Sequence, residues 1–340
     1  MRIPFAYLHH GLWLLILLCA GASMAMGALA LAPGQAFLSL ADAVLGSGWS
    51  QLSEVERTVV LELRLPRLLL ALFTGALLAQ CGAVMQGLFR NPLADPGIIG
   101  VSAGAALGAA VAIVLGAGLA HFHWVSTGAF VGGLGTTWLI YTLSQTRTGT
   151  SVFVLLLAGV AIAAFAGAAM GFLSYFADDQ QLRALSLWQM GNLSGAGQLN
   201  LWLIAGLTVS LLVYFQRQAN ALNALLLGEA EARHLGIDVE RLKRRLIAAT
   251  ALGVGVSVAY TGIIGFVGLV VPHLVRLLAG PNHQQLLPLS ALLGALLLAL
   301  ADLMARTLVA PAELPVGLLT ALIGAPFFLF LLLQSRRDYS

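Results

Sequence analysis

The sequence predicts an all-α, polytopic membrane protein with about ten transmembrane helices, and two observations support this fold class. Of the 340 residues, 59% are hydrophobic and 9% are charged, with a mean hydropathy of +0.93. Because soluble domains carry about 25% charged residues, this chain has too few charges to cover a surface that faces water. The apolar residues also form repeated runs close to the ~20 residues that cross a bilayer as a helix.

Ten apolar runs follow one another, and no polar stretch between them is long enough to form a soluble domain. The predicted spans are residues 11–32, 66–88, 97–118, 124–144, 152–175, 199–216, 246–261, 263–279, 286–304 and 316–334. We therefore expect residues 1–340 to form a single transmembrane domain.

The first run resembles a cleaved signal peptide in two respects, since Arg2 gives it a positive start and small residues follow from Gly27. Its apolar stretch of about 21 residues exceeds the ~7–15 residues that are usual in a signal peptide. We therefore expect a retained first helix.

Glycines mark several of the central spans. Pairs at four-residue spacing place small residues on one helical face, where helix backbones can approach closely in lipid. These pairs are Gly104 and Gly108, Gly128 and Gly132, and Gly167 and Gly171. Between the seventh and eighth spans, Gly262, Gly265 and Gly268 precede Pro272 and predict a broken or bent backbone. One bent helix in place of these two spans would give nine helices, with the termini on opposite sides.

The distribution of Arg and Lys predicts the orientation of the chain, because cytoplasmic loops carry the excess of these residues. With ten spans and a cytoplasmic N-terminus, 12 of them lie on the cytoplasmic side and five on the outer side. Both termini are therefore predicted to be cytoplasmic. The net charge of +3 reflects this bias and does not indicate nucleic-acid binding.

The densest charge lies between the sixth and seventh spans, in residues 228–245, which read GEAEARHLGIDVERLKRR. Nine of these 18 residues are charged, and Lys243 is the only lysine of the protein. Anchoring on the cytoplasmic side explains Arg241–Arg245. It does not explain the amphipathic stretch before them, where Glu229 and Glu231 favour the first turn of a short helix and Gly236 is a suitable stop.

The sequence lacks motifs that several kinds of active site require. The only lysine is not part of a phosphate-binding G-x-x-x-x-G-K-[ST] loop, so a separate subunit would have to bind ATP. There is no HExxH zinc motif, and Cys19 and Cys81 lie inside apolar spans, where we expect packing. We predict no catalytic residue, no metal site and no permanently bound cofactor.

Five groups of short motifs follow one another along nearly the whole chain. They are RLPR at 64–67, GALLAQCG at 75–82 with QGLFRNPLADP at 86–96, LNALLLGEAEARHLG at 222–236, GFVGLVVPH at 265–273 and ELPVG at 313–317. Each is weak alone, but in this order they resemble the permease subunits of binding-protein-dependent ABC importers for iron–siderophores, haem and cobalamin. The serine usual before Gly82 is Cys81 here, a replacement of one small residue by another.

The resemblance implies a permease of the bacterial inner membrane that forms a homodimer, with ten helices per chain and the pathway between the copies. Two cytoplasmic ATPase subunits, which bind ATP, and a periplasmic substrate-binding protein would be its partners, beside membrane lipid. Within a coupling segment at 220–240, the residues implied to dock on the ATPase are Gly228, Glu229, Ala230, Glu231, Ala232, Arg233, His234 and Gly236. Arg64, Arg67 and Arg306 would face outward and pair with acidic residues of the binding protein.

Within this family the chain is most similar to haem-uptake permeases, in Asp178–Arg183, Trp188–Leu193 and Glu229–Gly236. The resemblance implies haem as the transported substrate, with an iron–siderophore or cobalamin as the alternative. Soft apolar walls for a flat macrocycle are expected at Phe165, Met170, Phe172, Tyr175 and Phe176. Ordinary helix packing would also explain this stripe.

Two other classes of function stay open at this point. A secondary transporter driven by an ion gradient would suit the hydrophobicity and the bent region. Its carboxylates, however, lie at helix ends and in loops, and Asp302 can pair with Arg306 four residues later. A membrane enzyme that handles haem would depend on His121 and His123.

Overall fold

The computed structural model describes residues 3–27, 29, 31–116, 122–147, 149–195 and 198–337, and these residues form a bundle of α-helices. The predicted all-α fold class is therefore confirmed. The helices are α1 (Phe5–Ala25), α2 (Pro33–Leu45), α3 (Glu54–Thr58), α4 (Leu65–Phe89), α5 (Val101–Leu115), α6 (Phe122–Leu143), α7 (Val152–Phe176), α8 (Asp179–Gln189), α9 (Gln198–Arg217), α10 (Ala219–Leu227), α11 (Glu229–His234), α12 (Val239–Thr261), α13 (Val267–Ala279), α14 (His283–Thr307) and α15 (Val316–Arg337).

Three short elements connect helices of this bundle. A π-helical turn, Val59–Arg64, joins α3 to α4, and a 3-10 turn, Pro96–Ile99, precedes α5. In the part of the chain that the structure describes, the only strands are β1 (Gln145–Thr146) and β2 (Gly149–Thr150), which form a hairpin between α6 and α7.

Each of the ten predicted spans coincides with a helix, namely α1, α4, α5, α6, α7, α9, α12, α13, α14 and α15. Among the described residues, four continuous helical segments are long and apolar enough to cross a membrane: Phe5–Ala25, Glu54–Phe89, Val152–Phe176 and His283–Thr307. Helix α13 has 13 residues, which at about 1.5 Å per residue is too short to cross the hydrocarbon core alone. The chain therefore combines helices long enough to span a membrane with shorter apolar helices such as α13.

The core of the bundle forms around α4, which packs against α9, α12, α13 and α14. Two of its glycines allow backbones to touch. A Cβ atom on Gly75 would collide with the carbonyl of Gly294 in α14, and one on Gly82 would collide with that of Gly268 in α13. Cys81 and Cys19 are free and buried in this core, which confirms their predicted role in packing.

The glycine pairs behave in two different ways. Gly104 and Gly108 of α5 lie against the backbone of α6 at Gly132 and Gly128, so these pairs form the predicted close helix contact. In contrast, a side chain at Gly167 in α7 or at its pair-mate Gly171 would meet no other atom of the chain. The α7 pair therefore faces away from its own bundle.

The backbone breaks between α12 and α13, so the alternative of one long bent helix is wrong. Gly262 ends α12 with φ +68°, and Phe266 begins α13 with φ +66°. A Cβ atom on Gly262 would collide with the carbonyl of Trp188, because the end of α8 packs directly on this break. The irregular segment is thus covered by protein, as its depth in the bundle requires.

Candidate functional site

The charged block forms two short helices and the start of a long one. Helix α10 ends before Gly228 (φ +128°), α11 follows, and Gly236 (φ +83°) separates it from α12. Glycine suits position 228 because residues with side chains rarely adopt this φ. The helical conformation and the stop at Gly236 agree with the sequence prediction.

The residues of this segment do not all point the same way. Gly228 and Ala232 are buried, and Glu229 is half-buried. The exposed members are Ala230, Glu231, Arg233, His234 and Gly236, flanked by the exposed apolar side chains of Leu227 and Leu235. We call this exposed set the docking face, and its contact with an ATPase stays a prediction.

Lys243 does not lie on the surface with the arginines around it. Its side chain is 4% exposed, and its Nζ lies 2.7 Å from Glu229 Oε1 in α11 and 3.2 Å from Glu240 Oε1 in α12. Nζ also donates to the carbonyl oxygen of Thr150 in β2, at 3.3 Å. We call these four residues the lysine junction. Lys243 is therefore buried, although it lies within the stretch that anchoring on the cytoplasmic side explains.

Glu240 ties the hairpin to the same junction. Its Oε2 accepts a hydrogen bond from the Thr150 backbone N–H at 2.8 Å, while its other oxygen faces Lys243. Partial burial raises the pKa of Glu240, but the hydrogen bonds from Thr150 and the ammonium of Lys243 outweigh this and hold the pKa below its ordinary value. The carboxylate is thus charged at neutral pH.

The three arginines predicted to bind a partner are buried, with Arg64 5%, Arg67 8% and Arg306 7% exposed. Arg67 Nε lies 2.7 Å from Asp302 Oδ1, and its Nη1 lies 2.7 Å from Glu313 Oε2. Arg306 Nε lies 3.1 Å from Asp302 Oδ2, which confirms the predicted pairing of these two residues. We call Arg67, Asp302, Arg306 and Glu313 the arginine cluster.

The three arginines thus lie below the surface, and their pairing with acidic residues of a binding protein stays a prediction. The guanidinium of Arg64 donates to the carbonyl oxygens of Met24, at 2.5 Å, and of Leu29. All three arginines still line one cavity of about 410 Å³, together with Glu62 and Glu313. Access to them passes through this cavity, and Glu313, whose side chain is 47% exposed, is the member of the cluster closest to solvent.

The aromatic stripe proposed for the pathway lies on α7, and most of it is uncovered. Phe165, Phe172, Tyr175 and Phe176 are all at least 65% exposed. The rings of Phe172 and Tyr175 contact that of Phe176, with centroids 5.0 Å and 5.2 Å apart. Met170 differs, because it packs inside the chain against the small cluster of Ala110, Ile113 and Leu185.

The structure describes one of the two histidines considered for haem chemistry. His121 lies outside the described residues, and His123 stands in the first turn of α6. Within the described ranges, no three His, Cys, Asp or Glu side chains gather as a group able to hold a metal ion.

Comparisons with known proteins give one consistent result. The model of a family described as the FecCD transport family matches residues 14–334. The hemin transport system permease protein HmuU of Yersinia pestis is 50% identical over 285 residues, 82% of this chain and 84% of that protein. The vitamin B12 import system permease protein BtuC of Shigella boydii is 42% identical over 322 residues, 94% of this chain and 95% of that protein. A solved inward-facing conformation of a metal-chelate type ABC transporter superposes with a TM-score of 0.84 at 34% identity, covering 97% of this chain and 99% of that one.

Proposed function

Because this chain belongs to the FecCD transport family, we propose that it carries haem across the bacterial inner membrane as one half of a homodimeric permease. The broader function follows from the family. The chain is a multi-pass, non-catalytic permease subunit of a bacterial binding-protein-dependent ABC importer for haem, vitamin B12 or iron chelates. Such a subunit works with an ATPase and a substrate-binding protein. This assignment replaces the ion-driven transporter and the haem-handling enzyme.

Haem as the substrate is supported first by the degree of likeness. Where 82% of this chain is aligned in both cases, identity is 50% to the hemin permease and 45% to the vitamin B12 permease BtuC of Salmonella schwarzengrund. The exposed aromatic side chains of α7 add a physical argument, because aromatic rings stack on the flat, apolar faces of a macrocycle.

The homodimer is supported by the uncovered face of α7. This helix carries exposed aromatic residues along most of its length and has open space at Gly167 and Gly171. Close helix contacts in lipid use small residues at this spacing. A second copy approaching this face would bring two α7 helices together and enclose a pathway between them.

Coupling to the ATPase is assigned to the docking face of α11. Charged side chains beside exposed Leu227 and Leu235 form an amphipathic patch, as is typical of a contact with another protein. The hairpin β1–β2 and α11 meet at the lysine junction, so both lie at one end of the bundle. We assign this end, together with both termini, to the cytoplasmic side, in keeping with its arginine content.

A charge reversal on the docking face tests the coupling role. We expect Arg233→Glu to reduce the amount of ATPase that co-purifies with the permease and to abolish its stimulation by the loaded binding protein. Arg241→Glu is the matched control, since Arg241 is equally exposed, at 59% against 54%, but lies outside the docking face. Equal behaviour of the two variants would overturn the assignment.

The substrate is tested with the assembled complex in liposomes. Uptake is measured with the binding protein loaded with haem, with cobalamin or with a ferric siderophore, with and without ATP inside. We expect ATP-dependent uptake of haem at least about tenfold above that of the other two, a ratio equal to about 1.4 kcal/mol of discrimination. Preferred uptake of cobalamin or siderophore would replace haem as the substrate and leave the permease function standing.

The cavity lined by the three arginines is proposed as the docking site of the binding protein, with the contact inside the cavity and not on an open surface. An acidic side chain of the partner would enter the cavity and take the place of Glu313 beside Arg67, because Glu313 is the exposed member of the cluster. Glu313→Gln removes this competitor, so we expect tighter binding of the binding protein in a titration at fixed ionic strength. Weaker binding would show that Glu313 itself makes the contact.

A further inference from the structure

We propose that Lys243 is a positioning residue that links the docking helix α11 to α7, so that movement imposed on α11 by the ATPase reaches the pathway. The inference rests on the proposed function, because it takes the docking face as the point where the ATPase acts. It concerns a different residue, one whose side chain faces the interior of the chain.

Three acceptors from three separate elements converge on the ammonium group of Lys243. Glu229 is the first residue of α11, Glu240 lies in the first turn of α12, and Thr150 ends the hairpin that leads to α7. The distances from Nζ are 2.7 Å to Glu229, 3.2 Å to Glu240 and 3.3 Å to Thr150. An ammonium group has three N–H donors on one centre, so one lysine can hold three elements at once.

Only one residue separates the lysine junction from the start of α7. Thr150 is fixed through its carbonyl by Lys243 and through its N–H by Glu240. The next residue, Ser151, is the N-cap of α7 and accepts a hydrogen bond from the Val154 N–H at 3.4 Å. A displacement of Thr150 is therefore passed to the first turn of α7 within a single residue.

Gly149 shows how closely the hairpin approaches this junction. Its φ of +121° is one that residues with side chains rarely adopt, and a Cβ atom there would lie 2.7 Å from the carboxylate carbon of Glu240. Strand β2 of the hairpin thus contacts the carboxylate of Glu240, which is also paired with Lys243.

Burial distinguishes this contact from the ion pairs around it. Moving all three acceptors away would leave a buried, unpaired ammonium group, which costs several kcal/mol, so α11, α12 and the hairpin are expected to shift together. The neighbouring pair Arg241–Asp238 is more than half exposed on both sides. A pair of that kind contributes little and can break without consequence.

The residue type also fits this role. Arginine offers a planar fork that suits one carboxylate, whereas lysine presents a compact charge on a flexible stem that can face acceptors in several directions. Lys243 is the only lysine in the chain, although arginines stand at 241, 244 and 245.

The test uses the full complex of permease, ATPase and binding protein in liposomes, with transport counted per ATP hydrolysed. We expect Lys243→Met to assemble with the ATPase and to hydrolyse ATP, while transport per ATP falls by about tenfold, within the usual range of coupling between sites. Arg241→Met is the matched control and should leave transport per ATP unchanged. Lys243→Arg keeps the charge and should restore part of the lost coupling.

A second variant covers the case in which Lys243→Met does not fold. Glu229→Gln keeps the volume of the side chain and leaves Lys243 paired with Glu240, yet it weakens the contact to α11, so transport per ATP should again fall. Unchanged transport per ATP in an assembled complex of either variant would overturn the role of Lys243. Failure of the proposed docking face appears in a different measurement, as undiminished co-purification of the ATPase with Arg233→Glu.

Discussion

The two ends of α4 lie near two clusters of buried charge that use the same chemistry for different purposes. At its start, the arginine cluster joins α4 to α14, two helices that also pack along their length through Gly75 and Gly294. Near its other end, the lysine junction joins α11, α12 and the hairpin, which have few other contacts with one another. Where packing already fixes two helices, a buried ion pair adds rigidity. Where packing between elements is sparse, a similar pair determines how the movement of one element displaces the next.

Exposure of the carboxylates supports this distinction. The side chain of Asp302, which bridges two arginines, is 2% exposed, whereas those of Glu229 and Glu240 are 32% and 37% exposed. Because solvent weakens an ion pair in proportion to its access, the arginine cluster should dominate stability. The lysine junction should matter chiefly for transport.

The largest effect is expected from Asp302→Asn. It leaves Arg306 without its carboxylate and weakens the hold on Arg67, so the free energy of unfolding should fall by about 3–5 kcal/mol, as for other broken buried pairs. Thermal or denaturant unfolding of the purified chain in detergent measures this. Asp238→Asn, at an exposed pair, is the control and should change stability by less than about 0.5 kcal/mol. Similar losses in both variants would contradict the comparison.

A smaller loss is expected from Gly149→Ala. The positive φ and the approach to the Glu240 carboxylate should together cost about 1–3 kcal/mol, and displacement of Glu240 should also lower transport per ATP. Gly135→Ala, in α6 with open space at the Cβ position, should be neutral or slightly stabilising. An unimpaired Gly149→Ala protein would mean that the hairpin is free to move away from the junction.

Double-mutant cycles sharpen the comparison further. Arg67→Met with Asp302→Asn should give a coupling energy of about 1.5–3 kcal/mol, the range for hydrogen-bonded charges that are buried. Lys243→Met with Glu229→Gln should give about 1 kcal/mol or less, because Glu229 is partly exposed. The measurement is equilibrium unfolding of each single and double variant. A larger coupling at the lysine junction would reverse the ranking of the two clusters.

The smallest effect concerns pH. Because the pKa of Glu240 in the folded protein lies below its ordinary value of 4.5, its contribution to stability is fully present above 4.5 and is lost as the pH falls through the folded pKa. The difference in unfolding temperature between the unmodified chain and Glu240→Gln should thus stay constant from about pH 8 to pH 5.5 and shrink only in stronger acid. A difference that vanishes near neutral pH would show that the carboxylate is not held in its charged form.

Much of the fold could be predicted because bilayer thickness imposes a length on apolar helices. Each of the ten predicted spans contains a helix. The break at Gly262 and the pairing of Asp302 with Arg306 were also visible, since both depend on residues close in sequence. The partners of Arg67, by contrast, lie 235 and 246 residues away. No local pattern connects them.

The candidate site was predicted less completely, because orientation on a short helix is set by tertiary contacts. Glu229 and Glu231 are two residues apart and alike in sequence, yet one faces Lys243 and the other faces solvent. The short helices α2, α3 and α8 were not predicted, because they lie in polar segments that lack the length of a span. Their hydrogen-bonded caps at Ser53 and Asp178 carried a capping-box signal that could have located α3 and α8.

The single lysine has a practical consequence. It gives the whole chain one side-chain amine, at position 243, on a residue that is 3% exposed. Because the side chain is buried between its carboxylates, reagents that acylate amines reach it only while it is withdrawn from them and open to water. The rate of acylation at this one position would therefore report how often the coupling segment opens, and the measurement requires no label or added cysteine.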